Sequence, residues 1–231
     1  RIQSGPEGIG FIPIYNTDKV MLRDLVGYES QKEQLRHNTE AFLAGRSANN
    51  ALLYGDAGTG KSSSVKALIN EYYDQGLRMI EIYKHQFRDL SAVIAKVKNR
   101  NYRFIIFIDD LSFEENEVEY KFLKAVIEGG VETKPDNILL YATSNRRHLV
   151  RQTFSERAGE EVDTFETISE KTALAERFGL RIPYLTMNKA GFLALVDHLA
   201  DQAGVQMERE QLHAQAMAWE IRHSGRTPRV A

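Results

Sequence analysis

The chain has 231 residues, 42% of them apolar, and a formal net charge of −2 from 30 basic and 32 acidic side chains. That length suits one large domain, or a large and a small one, around a substantial core. The near-neutral balance gives no global electrostatic footprint for nucleic acid or an anionic membrane. No cysteine is present, which excludes disulfides and thiolate metal sites and fits a reducing, cytoplasmic setting. The longest apolar runs, such as Phe104–Ile108 and Ile138–Ala142, are strand-sized and far short of a bilayer span. No signal peptide is visible, and the histidines are scattered without metal-ligand spacing.

The chain opens on Arg1 rather than Met, as expected of a processed start or a piece of a longer protein. Residues 1–20 hold several Gly and Pro without helical periodicity and read as an extended lead-in. Ser30-Gln31-Lys32-Glu33 has the form of a capping box, predicting a helix from Ser30 to about Leu43 that stops at Gly45. Ala51–Tyr54 is an apolar strand. It runs into Gly55-Asp56-Ala57-Gly58-Thr59-Gly60-Lys61-Ser62, a complete G-x-x-x-x-G-K-[ST] phosphate loop, with Ser63 behind it. Glycines there let successive N–H groups turn inward to phosphate oxygens. Lys61 is placed for the β- and γ-phosphates and Ser62 for Mg²⁺. A glycine turn with an exposed lysine is the bland alternative, disfavoured because strand, loop and helix agree.

The helix behind the loop, Ser62 to Tyr73, carries the stripe Val65, Leu68, Ile69, Tyr72. Met79–Tyr83 reads as a second strand, and Leu90, Val93, Ile94, Val97 as another helical stripe. Phe104–Ile108 is a strand covered on both faces that ends in Asp109-Asp110. Such a strand delivers both carboxylates to the ligand-binding edge of an open α/β sheet. Asp109 is then placed for Mg²⁺ and Asp110 for the attacking water, unless one of the pair only caps the next helix. Glu114, Glu115, Glu117 and Glu119 read as a solvated helix start. A helix over Tyr120–Glu128 stops at Gly129-Gly130. Ile138–Ala142 is a buried strand whose polar end offers Asn145 to the water and γ-phosphate, unless Ser144 or Asn145 only N-caps a helix at Arg146–Val150.

Arg177 lies just before a fifth strand at Arg181–Leu185. Beyond Thr186 the strand signal ends. Phe192, Leu195, Val196, Leu199 make one amphipathic helix and Leu212, Ala216, Trp219 another, with a third starting after Thr227-Pro228. Arg226 and Arg229 flank that start; taken singly, such arginines are more often solvated. The expected organisation is a lead-in (1–20), an α/β nucleotide-binding unit (21–186) and a small helical lid (187–231), the lid looking incomplete.

Together these motifs resemble the AAA+ ATPases over nearly the whole chain, and most of all an uncharacterised bacterial group of predicted AAA+ ATPases. The resemblance implies a three-layer αβα P-loop fold with a five-stranded parallel sheet in the order 5-1-4-3-2. It also implies ATP or ADP with Mg²⁺ between base and lid, and ATP hydrolysis. On this likeness Leu25-Val26-Gly27-Tyr28 resembles the adenine-lining segment, 55–62 Walker A, 105–110 Walker B and Asn145 sensor 1. Arg177 resembles an arginine finger that acts on a neighbouring subunit's ATP, which implies a homo-oligomer, with a hexamer among the forms it allows. Arg229 matches sensor 2, with Arg226 as the fallback. Asp110 departs from the usual Glu, and Lys84-His-Gln-Phe-Arg88 lacks the aromatic pore-loop tripeptide of protein unfoldases. An ATP-dependent switch with little turnover, and a nucleic-acid loader using Lys84, Arg88, Arg146 and Arg147, are the rival readings. No membrane partner is expected.

Overall fold

The structure, a computed structural model, describes all residues except 6–7, 16, 114–118, 129–134, 146–173 and 224. The lead-in begins as an antiparallel hairpin, β1 (Ile2–Gly5) with β2 (Gly8–Phe11). Helix α1 (Glu29–Leu43) follows, then β3 (Ala51–Gly55), α2 (Lys61–Tyr72), β4 (Leu77–Glu81) and α3 (Leu90–Val97). After β5 (Arg103–Ile108) come α4 (Glu119–Glu128), β6 (Ile138–Ser144) and β7 (Leu180–Tyr184). Two helices close the chain, α5 (Lys189–Ala203) and α6 (Arg209–Arg222). The stop expected at Gly129-Gly130, most of the acidic cluster and the helix at Arg146–Val150 lie outside the described residues.

Strands β4-β5-β6-β3-β7 form one sheet in that order, and each neighbouring pair is parallel. Numbered among themselves from β3, they read 5-1-4-3-2 from the β7 edge, as the resemblance to the AAA+ ATPases implies. Period-2 alternation divides β5 between two cores. Phe104, Ile106 and Ile108 join Leu90, Val93, Val97, Tyr120 and Leu123 on the α3/α4 face. Ile105 and Phe107 join Leu35, Phe42, Val65, Leu68 and Tyr72 on the α1/α2 face. Each such side chain contributes about 1.5–3 kcal/mol by leaving water. This is the three-layer αβα architecture. The continuous apolar run of β5 is the direct consequence of burial on both faces.

Three local expectations are corrected. Helix α1 begins at Glu29, not Ser30, and Tyr28 is its N-cap in the left-handed region (φ 57°). The capping box does not form there: the turn is set by Tyr28 stacking on Tyr184, ring centroids 5.0 Å apart, and Glu33 pairs instead with Arg36. The second strand runs Leu77–Glu81, two residues earlier than Met79–Tyr83, because it starts where Gly76 (φ 92°) turns the chain and pairs Leu77 with Arg103. Trp219 was expected on the buried stripe of α6, yet it is 51% exposed and stacks on His223 at 3.7 Å. The stop of α1 is as expected. Gly45 (φ 70°) donates to the Phe42 carbonyl and Arg46 to that of Ala41, a Schellman closure that needs a left-handed residue.

Beneath the sheet the Tyr141 hydroxyl is buried with Asn38 Nδ2 and Thr39 Oγ1, each 2.9 Å away. Burial pushes that phenol up to about 12, against the pull of these two partners. Asn38 also reaches the Asn49 carbonyl, and Thr39 that of Leu35, so neither is orphaned if Tyr141 changes. Tyr141→Phe is therefore expected to cost about 1 kcal/mol in urea unfolding, well below the penalty for stranding a buried polar group.

Candidate nucleotide site

The carboxyl ends of β3, β5 and β6 meet at a cavity of about 480 Å³, a size that suits a small ligand. Its floor is the phosphate loop, from Ala57 to Ser63. Gly55 (φ 133°), Gly58 (φ 77°) and Gly60 (φ 90°) have backbone angles that disfavour any side chain. Gly55 has a second reason: a Cβ there would sit 2.2 Å from the Tyr184 carbonyl oxygen of β7. The loop is braced from within. Thr59 Oγ1 donates to the Asp56 carbonyl (2.8 Å), and the Ser64 amide and hydroxyl both donate to Gly60 (2.8 and 2.9 Å).

Lys61 is 5% exposed, and its ammonium donates to the carbonyls of Asp56 (2.5 Å) and Gly55 (3.2 Å) inside the loop. Burial pulls its pKa below the usual lysine range, while Asp56, Asp110 and Asp109 push the other way and Arg229 adds to the lowering. The result is a cation held in a low-dielectric pocket, where its attraction for an anion is stronger than in water.

Facing the loop is a hydrogen-bonded carboxylate pair. Asp109 Oδ1 accepts from Ser62 Oγ and from Thr143 Oγ1, both at 2.6 Å, while Lys66 Nζ lies 3.7 Å from Oδ2. Asp110 sits at φ 54°; its amide donates to Thr143 Oγ1 (3.0 Å), and Asn145 Nδ2 donates to its Oδ1 (2.8 Å). The hydroxyl and carboxylate oxygens that meet at Ser62 and Asp109 are hard donors of the kind that suit Mg²⁺. Asp109, Asp110, Thr143 and Asn145 all line the cavity.

Leu25, Pro228 and Arg229 complete the walls. The 227–229 turn lies close to the loop, since a Cβ on Gly58 would meet Thr227 Oγ1 and Arg229 Cβ at 3.1 Å. Arg226 points elsewhere, with Nε 3.6 Å from Glu220. Of the 25–28 segment only Leu25 lines the cavity. Val26 is half-buried, Gly27 packs against Met187, and the Tyr28 hydroxyl donates to the Leu185 carbonyl at 2.6 Å. Arg177 is outside the cavity and pairs with Glu128 at 3.2 Å. Arg146 and Arg147 lie outside the described residues.

Thr143 is the residue sequence reasoning missed. The available signal was a hydroxyl in the polar end of β6, Thr143-Ser144, two positions before Asn145 and so of the same strand parity. Asp56 belongs to the expected phosphate loop, and its carboxylate also accepts from the Thr186 amide at 2.7 Å, a contact the motif does not announce.

A family match runs over residues 2–231. The chain belongs to the family described as Protein of unknown function (DUF815). This DUF815 chain has the AAA+ fold. Over 91% of its length it superposes on the Holliday junction branch migration motor RuvB of Thermotoga maritima, with TM-score 0.57, 18% identity and 61% of that chain covered. It superposes likewise on the FIGL-1 AAA domain in complex with ADP: TM-score 0.58, 18% identity, 86% of this chain and 66% of that one. The Replication factor C large subunit of Staphylothermus marinus is 40% identical over 84 residues, which is 36% of the DUF815 chain and 19% of that relative. The chain thus spans a small part of its curated relative and under two thirds of each of these solved chains. Among the described residues no helix is long and apolar enough to cross a membrane.

Gly55→Ala is expected to destabilise the fold by about 2–4 kcal/mol in urea unfolding, through the clash with Tyr184 and the positive φ together. Thr143→Val keeps the shape of β6 but removes a donor to Asp109 and an acceptor for the Asp110 amide. It should cost about 1–3 kcal/mol by the same measurement.

Proposed function

We propose that this chain binds ATP with Mg²⁺ and hydrolyses it in a site completed by a second copy. The observation that carries the reading is the continuous chain Ser62–Asp109–Thr143–Asp110–Asn145 facing the phosphate loop. Loop amides and Lys61 hold the β- and γ-phosphates, with the α2 N-terminus adding its positive end. Ser62 and Asp109 would hold the metal, which when bound supplies charge neutralisation on the phosphates. Asp110 accepts the proton of the attacking water, and Asn145 orients both by donating to the same carboxylate. Arg229 meets the nucleotide from the helical lid, and Leu25 meets the base. Arg177 is 52% exposed and outside its own cavity, which supports a role on a neighbouring copy's ATP.

A slower, switch-like ATPase is the second reading. It is favoured by the short side chain of Asp110, whose Oδ1 is already taken by Asn145. One set of variants separates the two. Lys61→Ala should abolish ATP binding in calorimetry. Asp110→Asn should leave ATP affinity within about threefold and cut turnover by about 10²–10⁴ if Asp110 is the base. Equal turnover in wild type and Asp110→Asn supports the switch. Arg177→Ala should reduce turnover by about 10³ or more while leaving ATP affinity unchanged. Full activity in a strictly monomeric preparation would show that no second copy is needed.

A further inference from the structure

The end of the sheet remote from the phosphate loop carries a second constellation. Strand β5 is six residues long, so its first residue, Arg103, lies about 15–20 Å from the carboxylates that follow its last. From Leu90 to Ile108 the sequence holds Lys96, Lys98, Arg100 and Arg103 and no Asp or Glu. Register then brings in β4, whose Leu77 is opposite Arg103, and with it Arg78. The Arg78 guanidinium lies 3.8 Å from the ring centroid of Tyr73 and 4.3 Å from that of Tyr102. Its Nη1 is fixed by the carbonyls of Tyr73 and Leu77 at 2.8 and 2.7 Å. Despite this sandwich the two rings remain 53% and 44% exposed.

The loop that carries Arg100 and Tyr102 is held in shape. Asn137 Nδ2 donates to the carbonyls of Val97, Arg100 and Tyr102 at 3.1–3.3 Å, and the Phe104 amide donates to the Asn137 carbonyl at 2.8 Å. Tyr102 also rests edge-on against Phe104, ring centroids 6.4 Å apart. Lys96 and Arg100 are exposed beside it. Asp74 and Asp136 also lie at this end of the sheet and trim the positive charge without cancelling it.

We propose that this face is a docking surface for single-stranded nucleic acid, with bases stacking on Tyr73 and Tyr102 and phosphates meeting Lys96 and Arg100. Charge without aromatics would suit any polyanion. Rigid, exposed rings set among cations add a preference for unpaired bases, because every base offers a π-face and a duplex hides it. Preorganisation by Asn137 spares the ordering cost that a flexible basic loop would bear on binding.

Fluorescence anisotropy of labelled oligo(dT) and oligo(U), each about 20 nucleotides long, tests this on the whole chain without added nucleotide, so its outcome is independent of ATP hydrolysis. Binding is expected at low salt and should weaken as salt rises. Tyr102→Ala should weaken it about tenfold. Arg100→Glu should weaken it further and flatten the salt dependence by about 0.7 in log–log slope for each phosphate no longer neutralised. A preference for either oligonucleotide upholds the proposal and names DNA or RNA as the source. Circular dichroism checks each variant's fold, and Lys96→Glu, at an exposed helix position, replaces any that unfolds. The proposal is overturned by an absence of binding at low salt, or by binding that survives both the ring and the charge substitutions. It is equally overturned if duplex DNA or phosphatidylserine vesicles bind as tightly and are released by the same changes, which would make the face a general anion patch.

Discussion

Everything at the carboxyl edge of this sheet turns on one carboxylate oxygen. Asp109 Oδ1 takes hydrogens from Ser62 on α2 and Thr143 on β6, and Thr143 in turn accepts the amide of Asp110. Three segments far apart in sequence are locked at hydrogen-bond distance by that atom and its neighbours. The lock holds because parallel register fixes where each strand ends. Phe107 pairs with Tyr141 and Leu53 with Thr143, so the residues that follow β3 and β5 emerge beside the end of β6. A shift of one position would turn Thr143 to the other face and break both bonds.

The rigidity of that register comes from burial. Strands β5 and β6 are apolar on both faces, and two separate cores clamp them. The site can therefore tolerate groups that a weaker scaffold would not: a nearly buried lysine, a carboxylate at positive φ, and three glycines in sterically restricted conformations. Each costs free energy on its own, and the surrounding sheet over-determines it. Preorganised charge of this kind stabilises an anion more than a mobile side chain could, because no reorganisation is needed when the ligand arrives.

A second set of bonds ties the loop to the C-terminal helices. Asp56 accepts the Thr186 amide, Tyr28 donates to the Leu185 carbonyl, and the Met187 amide donates to the Arg226 carbonyl at 3.0 Å. Strand β7 thus leads into a short connector held on one side by the phosphate loop and on the other by the turn that presents Arg229. Hydrogen bonds through this connector therefore join the loop to that turn. The loop motif places Asp56 but leaves its side chain free; the contact of its carboxylate with Thr186 exists only once the connector is folded next to it.

Much of the architecture was legible in the chain alone, since apolar runs of strand length, helical stripes and the glycine–lysine loop report physics that acts over a few residues. Composition and spacing were enough for a parallel α/β sheet with the phosphate-loop motif at its edge and two acids facing it. Local signals failed where a distant partner outweighed them: the Tyr28–Tyr184 stack displaced the capping box at Ser30, and pairing with β5 moved β4 two residues earlier. Thr143 at the Asp109 carboxylate, Arg229 rather than Arg226 at the cavity, and the Tyr73–Arg78–Tyr102 sandwich each join residues dozens of positions apart or depend on which way a turn faces. Periodicity specifies which face of an element is buried, but only the packed sheet decides which side chains then meet across it.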